Sequence, residues 1–242
     1  MTPSVLRWSG FTLSLLAAPA CGQVLTLTPM PPELEMRFAL SALPAHLRAD
    51  ATVHLLDPAN GYVLGRQGNN GFTCIVERTE WARPIFRDDV YTPVCFDAEG
   101  TKHQLRVYMD VAQLRAQGWS SERVRAEIEG RFQRGTYRAP ARSGVSYMIA
   151  PLMRTYPSPV DTSVMTMALP HFMFYAPGLT DQDIGSAPPP SPYPFILEPG
   201  PHGYIVVLVG ETERSRILAE SADLLKDLCA FRSMLCLPPG GR

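Results

Sequence analysis

The sequence has few charges and no long apolar run after its first 22 residues. Charged residues make up 19% of the 242 residues, and the formal net charge is −1. Because the lysines and arginines are scattered rather than clustered, the sequence argues against a basic nucleic-acid surface. A membrane-spanning helix needs about 20 consecutive apolar residues, and no later segment supplies them. We therefore expect no nucleic-acid partner and no transmembrane span in the mature protein.

The sequence also lacks the short motifs by which many enzymes are identified. It contains no GxSxG, HExxH, GxGxxG or P-loop pattern. Its five cysteines show no CxxC spacing, which argues against a cysteine-based metal site. The motifs therefore leave open whether the protein is an enzyme.

The amino terminus has the three parts of an export signal. Arg7 ends a short n-region, Trp8–Ala18 is an apolar h-region, and Ala18-Pro19-Ala20 is a small-x-small cleavage site. We expect residues 1–22 to be removed and the protein to be periplasmic, secreted or lipid-anchored in the cell envelope. The alternatives are an N-terminal core helix and a retained anchor.

Cys21 stands where a bacterial lipoprotein carries its lipidated cysteine. The leucine that usually lies three residues earlier is replaced by Ala18. The sequence therefore leaves a lipid anchor at Cys21 open.

The other four cysteines are an even number, as is typical of a protein in an oxidising compartment. Cys74 and Cys95 are close in sequence, and so are Cys229 and Cys236. Among the three pairings that four cysteines allow, we favour these two short-range bonds. Closing a loop of about 20 residues stabilises the folded state by roughly 3 kcal/mol in the chain-entropy model.

Residues 23–242 are predicted to form a single α+β domain with proline-rich loops, since the 24 prolines are about twice the usual share. Three short β-prone runs come first: Thr52–Asp57, Tyr62–Arg66 and Phe72–Arg78. The connections between them end in Asn60-Gly61 and Asn70-Gly71, a strong hairpin signal. The pattern predicts a three-stranded antiparallel meander, joined by the later apolar strands Val145–Ala150 and Tyr204–Val209.

Three segments have helical periodicity and are expected to cover the antiparallel sheet. The first contains Leu105, Met109 and Ala112 at i, i+4 and i+7. The second is capped by Ser120 or Ser121. The third runs from about Thr212 to Leu235.

Two of the five histidines follow a proline and precede an apolar run. These are His171 and His202. If the two runs pair as strands, the rings lie within about 8 Å of each other, and one divalent ion such as zinc is able to bridge them. Asp181 or Asp183 supplies a carboxylate ligand in this hypothesis, and Tyr175 donates a hydrogen bond. The alternative is that both histidines bond backbone atoms at turns.

A second candidate site is the carboxylate pair Asp97 and Glu99. Two carboxylates at i and i+2 after a strand suit general acid–base chemistry or a cation. The alternative interpretation is a turn that ends at Gly100.

Four runs carry a resemblance to other proteins: Asn70-Gly71-Phe72-Thr73-Cys74, Phe96-Asp97-Ala98-Glu99-Gly100, Met173-Phe174-Tyr175-Ala176-Pro177 and Pro201-His202. They resemble a group of uncharacterised exported bacterial proteins over most of the mature chain. The resemblance implies export and a single fold. No activity and no site residue of this protein is inferred from the resemblance.

These observations lead to three functional hypotheses. The first is an exported periplasmic or envelope protein that binds a metal ion or a small ligand near His171 and His202. The second is a metal-assisted hydrolase that uses the same histidines with an open coordination position. The third is a structural interaction module of the envelope, in which the histidines are incidental.

Overall fold

The computed structural model describes residues 26–158, 160–186 and 193–238. The predicted export signal and Cys21 lie outside these ranges. The helices are α1 (Pro32–Ser41), α2 (Ala98–Lys102), α3 (Gln104–Ala116), α4 (Ser121–Gln133), α5 (Asp181–Ile184), α6 (Glu211–Glu220) and α7 (Ala222–Phe231), with short 3₁₀ helices at Ala45–Leu47 and Ser233–Leu235. The strands are β1 (Thr52–Asp57), β2 (Gly61–Arg66), β3 (Thr73–Glu77), β4 (Thr92–Phe96), β5 (Val145–Met148), β6 (Met153–Thr155), β7 (Met165–Met167), β8 (His171–Tyr175), β9 (Phe195–Leu197) and β10 (Tyr204–Leu208).

Eight of the strands form one sheet in the order β2-β1-β3-β4-β5-β8-β10-β9, and β6 and β7 form a separate pair. Every pairing in the large sheet is antiparallel except that of β1 with β3. The predicted α+β class with an antiparallel sheet is confirmed, and so is the β1–β2 hairpin. The predicted meander is wrong at its third strand, because β3 pairs in parallel with β1 instead of continuing from β2.

The second Asn-Gly pair makes a crossing connection rather than a tight hairpin. The Asn70 side chain donates to the Leu47 carbonyl at 2.8 Å and accepts from the Phe72 amide at 3.1 Å. Its own amide donates to the Asp50 carbonyl at 3.2 Å. These bonds tie the connection to the chain that precedes β1, so it passes the start of β1 and places β3 on the far side of that strand.

The two faces of the sheet are covered by different helices. Cys74 and Val76 of β3 belong to one core cluster with residues of α1 and α7. Ile75, between them in sequence, packs on the opposite face with Leu105 of α3. This alternation follows from the two-residue repeat of a strand, and it places Glu77 on the same face as Ile75.

Both predicted disulfides are confirmed. Cys74 and Cys95 are directly opposed in the β3–β4 register, and their sulfurs are bonded. Cys229 of α7 is bonded to Cys236, just beyond the second 3₁₀ helix. Two disulfides are typical of a protein that folds in a non-reducing environment.

The three predicted helical segments are helical, with one correction. Ser120 caps α4 by accepting from the Arg123 amide at 3.3 Å. The last segment, predicted as one helix, is divided at Ser221 into α6 and α7 and ends at Phe231. Across the described ranges, no helix is long and apolar enough to span a membrane.

Two buried arginines fix the loop between β3 and β4. Arg78 donates to the Val90 carbonyl at 2.7 Å and stacks over the Tyr91 ring at 3.7 Å. Arg115 of α3 donates to the Thr79 hydroxyl at 2.7 Å. The loop is therefore held against α3, next to the face that carries Glu77.

Candidate functional site

His171 and His202 lie toward opposite ends of the β8–β10 pair. Because the pairing is antiparallel, His171 is opposite Leu208 and Tyr175 is opposite Tyr204. His202 comes two residues before Tyr204, so along the strands it lies about 20 Å from His171, at about 3.3 Å per residue. The predicted separation of about 8 Å is therefore wrong, because an antiparallel pair sends the starts of its two strands to opposite ends.

Each of the two histidines bonds a backbone carbonyl. His171 Nδ1 lies 2.7 Å from the Leu169 oxygen, and burial lowers the pKa of this histidine. His202 Nε2 lies 3.0 Å from the Arg138 oxygen, and its ring packs edge-on against Phe132. Burial also lowers the pKa of His202. Both contacts are those of buried histidines that stabilise turns, the alternative that the sequence left open.

Tyr175 and Asp97 meet in a buried polar cluster. The Tyr175 hydroxyl lies 2.9 Å from Asp97 Oδ1 and accepts from the Ser146 hydroxyl at 3.2 Å. Asp97 caps α2 by accepting from the Gly100 amide at 2.8 Å, and its other oxygen accepts from the Val145 amide at 2.9 Å. Burial raises the pKa of Tyr175 far above its ordinary range. The cluster joins the start of α2 to β5 and β8, so Asp97 is a structural residue here.

Asp181 and Asp183 are both bonded to nearby backbone. Asp181 accepts from the Ile196 amide at 2.8 Å, which ties α5 to β9. Asp183 accepts from the Thr180 hydroxyl at 2.7 Å and from the Thr180 amide at 2.8 Å, and these two bonds lower the pKa of its carboxyl. Among the described residues, neither carboxylate is bonded to His171 or His202.

Glu99 is engaged by groups other than Asp97. It accepts from the Ala141 amide at 3.2 Å and from Arg142 Nε at 3.3 Å. The His103 ring nitrogen Nε2 lies 3.2 Å from the carboxylate. The backbone bond from Ala141 is the main reason why the pKa of Glu99 is lowered. Asp97 and Glu99 therefore do not form the acid–base pair that their spacing predicted.

Among residues 26–158, 160–186 and 193–238, no group of three or more His, Cys, Asp and Glu side chains is arranged to hold a metal ion. A catalytic zinc site needs three protein ligands around one point. The predicted zinc site at His171 and His202 is therefore not assembled from these residues.

Two glutamates that the sequence analysis did not single out have stronger claims to function. Glu77 ends β3 on the face that carries Ile75, and Glu198 follows β9 directly. Neither carboxylate has a hydrogen-bond or ion-pair partner within the described part of the chain. Burial raises the pKa of Glu77 well above its ordinary value, and the charges of Glu80 and Glu198 raise it further.

Glu198 combines solvent contact with a strongly perturbed pKa. The residue is exposed to solvent, yet the protein around it raises the pKa of its carboxyl to about 7, chiefly by desolvation and then by the charge of Glu80.

The backbone of Glu198 is strained. Its φ of 55° lies in the left-handed region, which no other non-glycine residue adopts in the ranges that the structure describes. The turn that follows is fixed from β8, because the Ala176 amide donates to the Gly203 carbonyl and the Gly178 amide to the Gly200 carbonyl, each at 2.8 Å. Such strain costs about 1–3 kcal/mol and persists where surrounding contacts over-determine it, often at functional sites.

Two tyrosines pack on the face of the sheet that carries Ile75 and Glu77. They are Tyr108 on α3 and Tyr204 on β10. Burial raises the pKa values of both hydroxyls, and the charges of Glu77 and Glu198 raise them further. The four groups therefore interact electrostatically.

Partly exposed apolar side chains surround the buried core on this face of the sheet. They pack against the same core cluster as Ile75 and yet remain in contact with solvent: Tyr62, Met109, Met153, Phe195, Leu197 and Leu208. We call the region formed by these side chains with Glu77, Glu198, Tyr108 and Tyr204 the acidic recess.

Two buried polar side chains beside the acidic recess have no partner. Thr92 is directly opposite Glu77 in the β3–β4 register, is 5% exposed, and its hydroxyl makes no hydrogen bond. Gln104 is 1% exposed, and neither atom of its amide is bonded. It lies one turn before Tyr108 on α3, on the same side of the helix. Buried polar groups are nearly always satisfied, so both groups point to something that completes them.

Comparison with protein-family models, with curated proteins and with solved structures found no match to this chain. The case for a function therefore depends on the geometry of the acidic recess and on its neighbouring side chains.

Proposed function

We propose that this protein is an exported binding protein that holds a small ligand in the acidic recess. The observation that carries the proposal is that Glu77, on the apolar face of β3, has no hydrogen-bond or ion-pair partner in the described part of the chain and lies opposite the unbonded Thr92 hydroxyl. Partly burying a carboxyl group without pairing it is unfavourable, and proteins accept that cost chiefly where the group has a task. The ligand's polar groups would complete the carboxylates, and the apolar walls would hold its body.

Further support comes from the unsatisfied Thr92 hydroxyl and Gln104 amide and from the strained Glu198 backbone. Export is supported by the signal-like residues 1–22 and by the two disulfides. We propose the acidic recess as the ligand site in place of His171 and His202, whose rings bond backbone carbonyls.

A thermal-shift screen tests the proposal. The mature protein is melted with a panel of amino acids, amines, sugars and carboxylates, beside an E77Q/E198Q variant. We expect at least one compound to raise the Tm of the wild type and to have little effect on the variant. An E33Q/E129Q variant, which removes two exposed carboxylates and so changes the net charge equally, should respond as the wild type does. A panel without effect, or an equal effect on E77Q/E198Q, would refute the proposal.

A second function is favoured by one observation, the Glu198 pKa of about 7. A carboxyl with this pKa beside a second carboxylate suits general acid–base catalysis near neutral pH. The protein would then be a hydrolase acting on the ligand that it binds. Product analysis of any compound found in the screen separates the two functions, because a binding protein returns the compound unchanged.

A further inference from the structure

We propose that a second cavity, beside α6, binds a small zwitterion: a molecule that carries a carboxylate and an ammonium group on an apolar body, as a free amino acid does. The α6 cavity is separate from the acidic recess, so its occupancy goes beyond the function proposed above. Its size, its apolar walls and two incompletely bonded side chains of opposite charge support this assignment.

The α6 cavity has a volume of about 240 Å³ and is lined by the first 3₁₀ helix and its flanks, by Ile149 and by one side of α6. The Ile149 amide donates to the carbonyl of Ala42, just after α1, at 3.2 Å. The cavity therefore lies on the α1 side of the sheet, whereas α3 and Glu77 lie on the other side. Pockets for drug-sized ligands have volumes of about 300–1,000 Å³, so this cavity suits a smaller molecule.

Arg48 supplies the cavity with a positive charge that has no carboxylate partner among the described residues. Its Nε donates to the Leu43 carbonyl at 2.8 Å, and its Nη2 donates to the Ser41 carbonyl at 3.4 Å. These bonds hold one edge of the partly buried guanidinium and leave Nη1 without a bond to the described part of the chain. A guanidinium held in this way is able to bind a carboxylate through charge-assisted hydrogen bonds.

Glu220 supplies the negative charge. Its Oε1 accepts from Arg216 Nη1, and its Oε2 has no bond within the ranges that the structure describes. Arg216 does not need that second oxygen, because its Nε and Nη2 donate to the two carboxylate oxygens of Glu213, with Nε at 2.9 Å. Glu220 Oε2 is therefore able to accept a hydrogen bond from an ammonium group.

The charges of the lining favour a zwitterion over a simple ion. The lining contains two arginines and two glutamates, whose formal charges balance. An anion bound to Arg48 would be repelled by Glu220, and a cation bound to Glu220 would be repelled by Arg48. A ligand with both charges is attracted by both side chains.

The remaining walls suit the apolar body of such a ligand. They are formed by Pro44, Ala45, Ile149 and Ile217. Ile149 is partly exposed to solvent, so a ligand that covers it removes apolar surface from water. An apolar side chain on the zwitterion would make this contact.

Three probes that share one apolar body and differ in charge test the proposal: L-phenylalanine as the zwitterion, 3-phenylpropionate as the anion and phenethylamine as the cation. Their binding to the mature protein is measured by NMR titration at neutral pH. We expect L-phenylalanine to bind roughly tenfold or more tightly than either analogue, because each analogue lacks one charge-assisted hydrogen bond. An analogue that binds as tightly as L-phenylalanine would overturn the zwitterion class. L-Leucine repeats the test with an aliphatic body, and no binding of either amino acid would overturn the site.

Variants locate the binding by which probes they weaken. E220Q should bind L-phenylalanine roughly tenfold or more weakly, and it should not weaken 3-phenylpropionate, which has no ammonium group. R48Q should weaken both compounds, because both carry the carboxylate. E211Q removes an exposed glutamate of the same helix that does not line the cavity, and it should behave as the wild type. If R48Q fails to fold, E220Q and the wild-type series decide; an L-phenylalanine affinity that E220Q leaves unchanged would contradict the proposal.

The double variant E77Q/E198Q separates the α6 cavity from the acidic recess. It should bind L-phenylalanine as the wild type does, and a loss of affinity would place the amino acid in the recess and overturn the proposal. In the thermal-shift screen, an amino acid whose effect is equal in wild type and E77Q/E198Q but lost in E220Q reports the α6 cavity. The acidic recess is then judged by the other compounds of the panel, so either site is able to fail without the other.

Discussion

Replacing Glu35 with glutamine should change how the free energy of unfolding depends on pH. Glu35 lies on α1, is 3% exposed, and its Oε1 accepts from the Leu56 amide at 2.8 Å. Burial raises the pKa of its carboxyl from 4.5 to about 7, although the Leu56 bond and the charge of Arg78 act in the opposite direction. The folded protein therefore keeps a proton that the unfolded chain has already lost.

The sign and size of the effect follow from this difference. A raised pKa in the folded state gives stability that is complete below pH 4.5 and is lost as the pH rises through about 7. Between about pH 5 and pH 8 the loss amounts to about 2–3 kcal/mol. Glutamine does not titrate, so the E35Q variant lacks this contribution. Any cost of burying its extra NH₂ group is the same at both pH values.

Urea unfolding at pH 5 and pH 8, followed by tryptophan fluorescence with the disulfides intact, measures the effect. We expect the stability of E35Q relative to the wild type to rise by about 2–3 kcal/mol from pH 5 to pH 8. E33Q, an exposed neighbour on the same helix, should differ from the wild type by the same amount at both pH values. The contributions of other titrating groups cancel, since they are present in both proteins. A stability difference between E35Q and wild type that does not move with pH would contradict the reasoning.

Two further substitutions test how the sheet is held together. A C74S/C95S variant should lose about 3 kcal/mol of unfolding free energy, because the bond closes a sequence separation of 21 residues; an unchanged urea midpoint would contradict this. Gly100→Ala should lose about 1–3 kcal/mol, since a Cβ at this position would collide with the Tyr175 hydroxyl. Gly210→Ala is its control, because a Cβ there meets nothing within 4 Å, and it should cost less than about 1 kcal/mol. Equal losses from the two alanine variants would argue against the close packing at Tyr175.

The parts of the fold that depend on neighbouring residues were predictable. The bounds of β1 match the predicted Thr52–Asp57, and Asn60-Gly61 closes the β1–β2 hairpin with Gly61 at φ 82°. The Cys74–Cys95 bond was predicted from the short separation of the two cysteines in the sequence. Each of these features is decided by the properties of a few consecutive residues, such as the alternation of a strand or the backbone freedom of glycine.

The parts that depend on distant residues were not predictable from local patterns. Asn70-Gly71 carries the same turn signal as Asn60-Gly61, but the bond from Asn70 to Leu47 directs the chain past β1. The similar Pro-His corners at His171 and His202 suggested a shared site, whereas the antiparallel register separates them. The likeness of the two corners does not extend to their contacts, since the His171 ring bonds the nearby Leu169 carbonyl and the His202 ring bonds the distant Arg138 carbonyl.

The acidic recess was not predicted from the sequence, although one of its two glutamates did leave a signal there. Glu77 and Glu198 come from different parts of the chain, and the charge of one acts on the other only in the folded protein. Glu77 does leave a signal in the sequence, because this charged residue occupies a position on the same strand face as the apolar Ile75. Glu198 leaves none, and its left-handed backbone comes just before a turn that bonds from Ala176 and Gly178 hold in place. One glutamate is thus placed by a rigid central strand and the other by a turn whose strain the neighbouring strand maintains.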